Sequence, residues 1–103
     1  MLELYHANHS TCSQKVRLCI AEKGLDFEGH LIDLGAKEQL DPEYLKLNPN
    51  GVVPTLVHDE VVIMDSSVIC EYLDEVFPEQ PLAPPDPAER AHMRKWMRYI
   101  EEV

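Results

Sequence analysis

The stretch "VVPTLVHDEVVIMDSSVICEYLDEVF", residues 52–77, carries two periodicities in succession. Its first half holds two β-rich runs on either side of His58-Asp59-Glu60, the composition of a β-hairpin. Its second half changes to helical spacing. Val68, Ile69, Tyr72, Leu73 and Val76 form one apolar stripe behind the capping residues Asp65, Ser66 and Ser67. Pro54 removes one ladder donor from the first run, so it belongs at an edge or a sharp turn.

Upstream, "NPNG" (48–51) is turn chemistry. Leu40, Tyr44 and Leu47 fall at helical spacing and predict a helix over 38–47, with Pro42 in its first turn. "LELY" (2–5) suits a strand and "DFEGHLIDL" (26–34) a second one. Between them Val16, Cys19 and Ile20 share a helical face from about Cys12 to Lys23, and Gly24 supplies the stop. Strand, helix, strand is the signature of a parallel βαβ unit. Downstream, "PEQPLAPPDP" (78–87) holds five of the eight prolines and reads as a linker. Asp86, Pro87 and Glu89 then make a capping box for a last helix. That helix has Met93, Trp96, Met97 and Ile100 on one side and Arg90, Arg94 and Arg98 on another. The order β-α-β-α-β-β-α predicts a thioredoxin-like α/β domain over 1–77, with a mixed four-stranded sheet and helices on both faces. A linker over 78–86 and a trailing helix over 87–103 follow.

The chain has 103 residues and a net charge of −10. The length allows one small domain with a single core. The charge disfavours nucleic acid and anionic membrane as partners, since both need a positive footprint. An anionic ligand needs a locally positive pocket. No apolar run approaches membrane-spanning length, and "MLELYH" is not a secretory signal. Cys12, Cys19 and Cys70 are an odd count without framework spacing, which fits reduced thiols in a cytoplasmic protein. No Cys/His cluster has zinc spacing, and His6 with His9 does not amount to a metal site, so no metal is expected.

"HSTCSQKVR" (9–17) sets Ser10, Thr11, Cys12 and Ser13 side by side just ahead of a helix. Such residues cap helices. All four also carry a hydroxyl or thiol that could act on a substrate. Cys12 lacks the second cysteine of a Cys-x-x-Cys, so a dithiol mechanism is unavailable and a monothiol one, in which its thiolate forms mixed disulfides, is the alternative. Cys19 and Cys70 read as small core residues. "DSS" (65–67) has the same two readings, as a plain cap or as a helix N-terminus that receives a carboxylate.

"KVRLCIAEKGLDFE", "LNPNGVVPTLV", "DSSVICEYLDEVFP" and "PLAPPDPAER", in that order, resemble the N-terminal domain of soluble glutathione S-transferases across the whole chain. "STCS" with "VR" is most similar to the zeta and theta-like group and its bacterial relatives. The resemblance implies glutathione as co-substrate, an electrophile as second substrate and a homodimer. It implies a cis Pro54, with the Val53 backbone pairing the cysteinyl segment of glutathione as an added strand. Asp65 and Ser66 would take the two charges of the γ-glutamyl end. Gln39, with Lys37 nearby, would meet the glycine carboxylate. Gly51 and Val52 stand where some members carry a lysine. Ser10 would donate to the glutathione sulfur, with Thr11, Cys12 and Ser13 as second candidates, and the thiolate would attack the electrophile. A tyrosine branch of the family would place its tyrosine at His6, and Tyr5 points to the other strand face. Residues 87–103 would be the first helix of an all-helical C-terminal domain, and activity of the short chain would be weak or absent. "AEKG", "LNPNGVVPTLV" and "EYLDEVFP" also resemble the stringent starvation protein, a non-enzymatic relative that associates with RNA polymerase.

Overall fold

The structure, a computed structural model, describes residues 1–79 and 81–102, with residues 97–102 as backbone only. Four strands, β1 (Leu2–His6), β2 (Glu28–Leu31), β3 (Thr55–His58) and β4 (Val61–Met64), form one sheet in the order β2-β1-β3-β4. β2 runs parallel to β1, β3 antiparallel to β1, and β4 antiparallel to β3. The helices are α1 (Thr11–Glu22), α2 (Pro42–Leu47), α3 (Ser66–Val76) and α4 (Pro87–Glu102). This is the mixed thioredoxin-like sheet the sequence predicts.

Alternation along β1 sorts the two faces. Leu2 and Leu4 point into the main core, with Leu56 of β3, Val16 and Ile20 of α1, and Ile69 and Leu73 of α3. Each such side chain contributes about 1.5–3 kcal/mol by leaving water. Tyr5 points the other way and meets Tyr44 of α2, with ring centroids 5.9 Å apart. Helices therefore cover both faces.

Three elements differ from the sequence reading. The strand expected over 26–34 contracts to β2, because Asp33 turns the chain: its carboxylate accepts from the Ala36 N–H. The helix expected over 38–47 splits into a 3-10 turn at Glu38–Leu40 and α2. Asp41 between them is extended (φ −60°, ψ 140°), because the Pro42 ring excludes the helical region for the residue before it. Leu40 is left exposed. The α3 stripe is also narrower than drawn: Ile69 and Leu73 are buried, while Val68 and Val76 are exposed. At the start of α4 the Asp86 carboxylate accepts from the Glu89 N–H at 3.1 Å, as the capping box requires. Met93 is half-buried and Trp96 exposed. The side chains of Met97, Arg98 and Ile100 lie outside the described residues.

The loop between α2 and β3 is held by a buried polar knot. The Tyr44 hydroxyl donates to the Val52 carbonyl, and Asn48 Nδ2 donates to the same carbonyl at 3.2 Å and to Thr55 Oγ1 at 2.9 Å. Tyr44 has one proton and gives it to Val52, so the Thr55 hydroxyl, 2.8 Å away, donates to Tyr44. Burial pushes the Tyr44 phenol above its ordinary pKa, which keeps that proton in place. Gly51 lets the loop turn, at φ +63°. A Cβ there would lie 3.2 Å from Leu40 Cδ2 and 3.3 Å from the Gln39 carbonyl oxygen. Gly51→Ala should cost about 1–2 kcal/mol from the left-handed backbone alone, read as a lower urea midpoint with an unchanged slope.

Candidate functional site

The register gathers the candidate residues at one end of the sheet. Tyr5 pairs Thr55, and Thr55 pairs Met64. The exit of β1, the entry of β3 and the exit of β4 are therefore neighbours. From these three points the chain runs to Ser10, back to Val53 and Pro54, and on to Asp65 and Ser66. β2 leaves at the same end, since Leu31 pairs His6, and leads to Lys37 and Gln39. The N-termini of α1 and α3 both lie here, and their partial positive charge is the local attraction that an anion needs in a chain of net charge −10.

Ser10 caps α1. Its half-buried Oγ accepts from the Ser13 N–H at 3.1 Å, leaving the hydroxyl proton for another acceptor. Thr11 and Cys12 are exposed in the first turn. Ser13 is fully buried, and its Oγ accepts from the Ala7 N–H at 3.2 Å. It straps the β1–α1 loop from inside, which corrects its place among the candidates that face a ligand. Arg17 holds the same loop from outside. Its Nη1 lies 2.8 Å from His6 Nδ1 and 3.2 Å from the Ala7 carbonyl oxygen, and its Nη2 3.4 Å from that of Asn8. Burial, then the Arg17 and His30 charges, hold His6 below the usual imidazole pKa. The neutral ring accepts from Arg17 at Nδ1.

At the start of α3, Asp65 has φ 77° and ψ 123°, a backbone conformation that costs about 1–3 kcal/mol and persists only where its surroundings enforce it. Its carboxylate accepts from the Ser67 N–H at 3.0 Å and the Val68 N–H at 3.3 Å. Ser66 is buried. Lys15 reaches across from α1, its Nζ 2.6 Å from Ser67 Oγ and 3.4 Å from Ser66 Oγ. A cation thus stands at the α3 N-terminus. Sequence reasoning used Arg17 only as a motif marker and did not single out Lys15, because both act across the fold or back onto the preceding loop.

The Val53–Pro54 peptide is cis. Pro54 is buried and Val53 half-buried, and β3 begins only at Thr55, so Val53 stands outside the ladder with β1. In the 3-10 turn, the Gln39 amide oxygen is buried with no hydrogen-bond partner among the described residues. Lys37, exposed in the left-handed region at φ 61°, precedes it. A second cleft of about 290 Å³ between α1, α3 and α4, walled by Leu18, Cys19, Cys70, Leu82 and Met93, shares Lys15 with this site but none of the residues the sequence singled out for a ligand.

Comparison with known proteins bears on this arrangement. Residues 9–76 match the family described as glutathione S-transferase, N-terminal domain. The chain is 51% identical over 90 residues to glutathione S-transferase 1 of Dianthus caryophyllus, covering 87% of this chain and 41% of that one. It superposes on the crystal structure of the β-etherase LigF from Sphingobium sp. strain SYK-6 with a TM-score of 0.92 at 43% identity, covering 99% of this chain and 43% of LigF. It matches a glutathione transferase homologue from Sulfitobacter with bound glutathione at a TM-score of 0.93 and 32% identity, covering 100% of this chain and 50% of that one. The chain spans about 40% of the length of the curated relatives it matches. These relatives lend no support to the alternative of an RNA polymerase-associated regulator. By sequence, fold and the arrangement of its loops, the chain belongs to the glutathione S-transferase N-terminal domain family.

Proposed function

We propose that this chain binds glutathione along the sheet end just described and stabilises its thiolate for attack on an electrophile, as a cytoplasmic homodimer. One observation carries the reading: two helix N-termini, the Val53 backbone and Gln39 all converge on that end. Ser10 donates to the sulfur, with Cys12 and Thr11 next to it. Val53 offers its N–H and C=O to the cysteinyl segment. Ser66, backed by Lys15 and the α3 N-terminus, receives the γ-glutamyl carboxylate, and Asp65 its ammonium. Gln39 meets the glycine end, with Lys37 adding positive charge. The Sulfitobacter homologue, which has glutathione bound, supports the ligand assignment. Calorimetric titration with glutathione should show a single site, and Ser66→Ala should weaken it about tenfold, the loss of one hydrogen bond to a charged group. A folded protein that gives no heat with millimolar glutathione overturns the reading.

A second reading has its own support. The match to LigF runs over 103 residues, including the linker and α4, whereas the Dianthus match covers 90. The electrophile is then a β-ether: the glutathione sulfur bonds to carbon, the carbon–oxygen bond breaks, and the oxygen leaves with the pair and takes up a proton. Release of a phenol from an aryl β-ether with equimolar thioether selects this reading over addition or isomerisation.

A further inference from the structure

The face of the sheet that carries Tyr5 holds a second cluster, on β1 and β2. The parallel register sets Glu3 opposite Glu28 and Tyr5 opposite His30, and the two-residue period puts all four on that face. The ligand atoms of Glu3, Glu28 and His30 lie within 4.8 Å of one another. His30 Nε2 is 3.1 Å from Glu3 Oε1 and 4.0 Å from Glu28 Oε1. The imidazole is held in that orientation, because its ring stacks on Tyr5 with centroids 4.6 Å apart and planes 21° from parallel.

Two carboxylates directly opposite each other on paired strands repel, and the sheet keeps them there. We propose that Glu3, Glu28 and His30 bind a divalent first-row cation of the Zn²⁺ type, with water completing its shell. The donor set is one imidazole nitrogen and two carboxylates, which suits Zn²⁺ and its neighbours and not Mg²⁺ or Ca²⁺. Ligand atoms about 2.0–2.1 Å from a tetrahedral ion lie roughly 3.3–3.4 Å apart. The His30–Glu3 pair is already near that spacing. Glu28, 4.0 Å from His30 Nε2 and within 4.8 Å of the Glu3 ligand atom, needs to close by up to about 1.5 Å, which its 59% exposed side chain can do by a change of rotamer. The ion would tie the edge strand β2 to the central strand β1. No sequence spacing announces this site, since the ligands are brought together by strand register alone. It is independent of the glutathione reading and uses none of its residues.

The test is equilibrium dialysis of Zn²⁺ against the untagged protein carrying Cys12→Ser, which removes the exposed thiol as a competing ligand. One Zn²⁺ per chain should bind saturably. Glu3→Gln, Glu28→Gln and His30→Ala should each weaken it at least tenfold, and Zn²⁺ should raise the melting temperature only where all three side chains are intact. Glu28→Gln changes an exposed side chain without altering its shape, so it decides the matter if His30→Ala fails to fold. Absence of saturable binding at millimolar Zn²⁺, or equal affinity in Glu28→Gln, overturns the proposal.

Discussion

Under the proposed glutathione reading, Ser10→Ala should lower the rate of glutathione conjugation about a hundredfold, the usual cost of removing one preorganised donor to a developing or stabilised anion. That factor corresponds to about 2.7 kcal/mol at the sulfur. The substitution also removes the α1 cap, because Ser10 Oγ accepts from the Ser13 N–H. The lost cap costs about 1 kcal/mol of stability. Ser10→Asp separates the two effects. Aspartate caps as well as serine does, but it has no proton to give and adds a negative charge beside the thiolate. Stability should return while the rate stays at or below that of Ser10→Ala. The pH–rate profile in both variants should move toward the free-thiol pKa of about 8.5. If Ser10→Ala keeps full activity, the donor is elsewhere, and Cys12→Ala is the next measurement. Ser13 is not a substitute, since its hydroxyl is buried against Ala7.

Local pattern made most of the fold legible. The hairpin and α3 follow from a switch of period between Met64 and Asp65, and α1 from Val16, Cys19 and Ile20 on one face. Even the inward turn of Ser13 is in the spacing, because positions 13, 16 and 20 lie on one helical stripe. The split at Asp41 was legible too, since a residue before proline avoids the helical region. β2 was drawn too long because an exposed edge strand carries little apolar alternation to mark its ends. The site was legible as residues and not as a place. Ser10, Gln39, Val53 and Asp65 are candidates that the family resemblance implies, but only the pairing of Tyr5 with Thr55, and of Thr55 with Met64, brings their loops to one end. Long-range side chains left no trace in the sequence. Lys15 acts on Ser66 and Ser67 from another helix, and the Tyr44–Asn48–Thr55 knot looks like an ordinary turn until its buried donors are counted.

Asp74→Ala should destabilise the protein by about 3–5 kcal/mol, the cost of stripping one partner from a buried ion pair. Lys23 closes α1 with its ammonium 2.9 Å from Asp74 Oδ1, and the two side chains are 0% and 10% exposed. The same carboxylate accepts from the Leu82 N–H at 2.7 Å and the Ala83 N–H at 3.1 Å. The proline-rich segment has no ladder or helix to occupy its N–H groups, so Asp74 supplies the acceptors. Burial pushes the Asp74 carboxyl up. The Leu82 N–H, Lys23 and the Ala83 N–H outweigh that and hold it below its ordinary pKa. A depressed folded pKa stabilises above the unfolded value of about 3.9, and that contribution is lost as pH falls through the folded value. Urea midpoints followed from pH 7 to acid should therefore fall less steeply in Asp74→Asn than in the native protein. Lys23→Met leaves Asp74 its two backbone donors, and should cost less than Asp74→Ala. An unchanged urea midpoint in Asp74→Ala would sink this account of the pair. The pair also sits far along α1 and α3 from their N-termini, where Lys15 makes another link between the two helices. Losing Asp74 should then lower the melting temperature while glutathione affinity, measured well below it, stays within twofold of native.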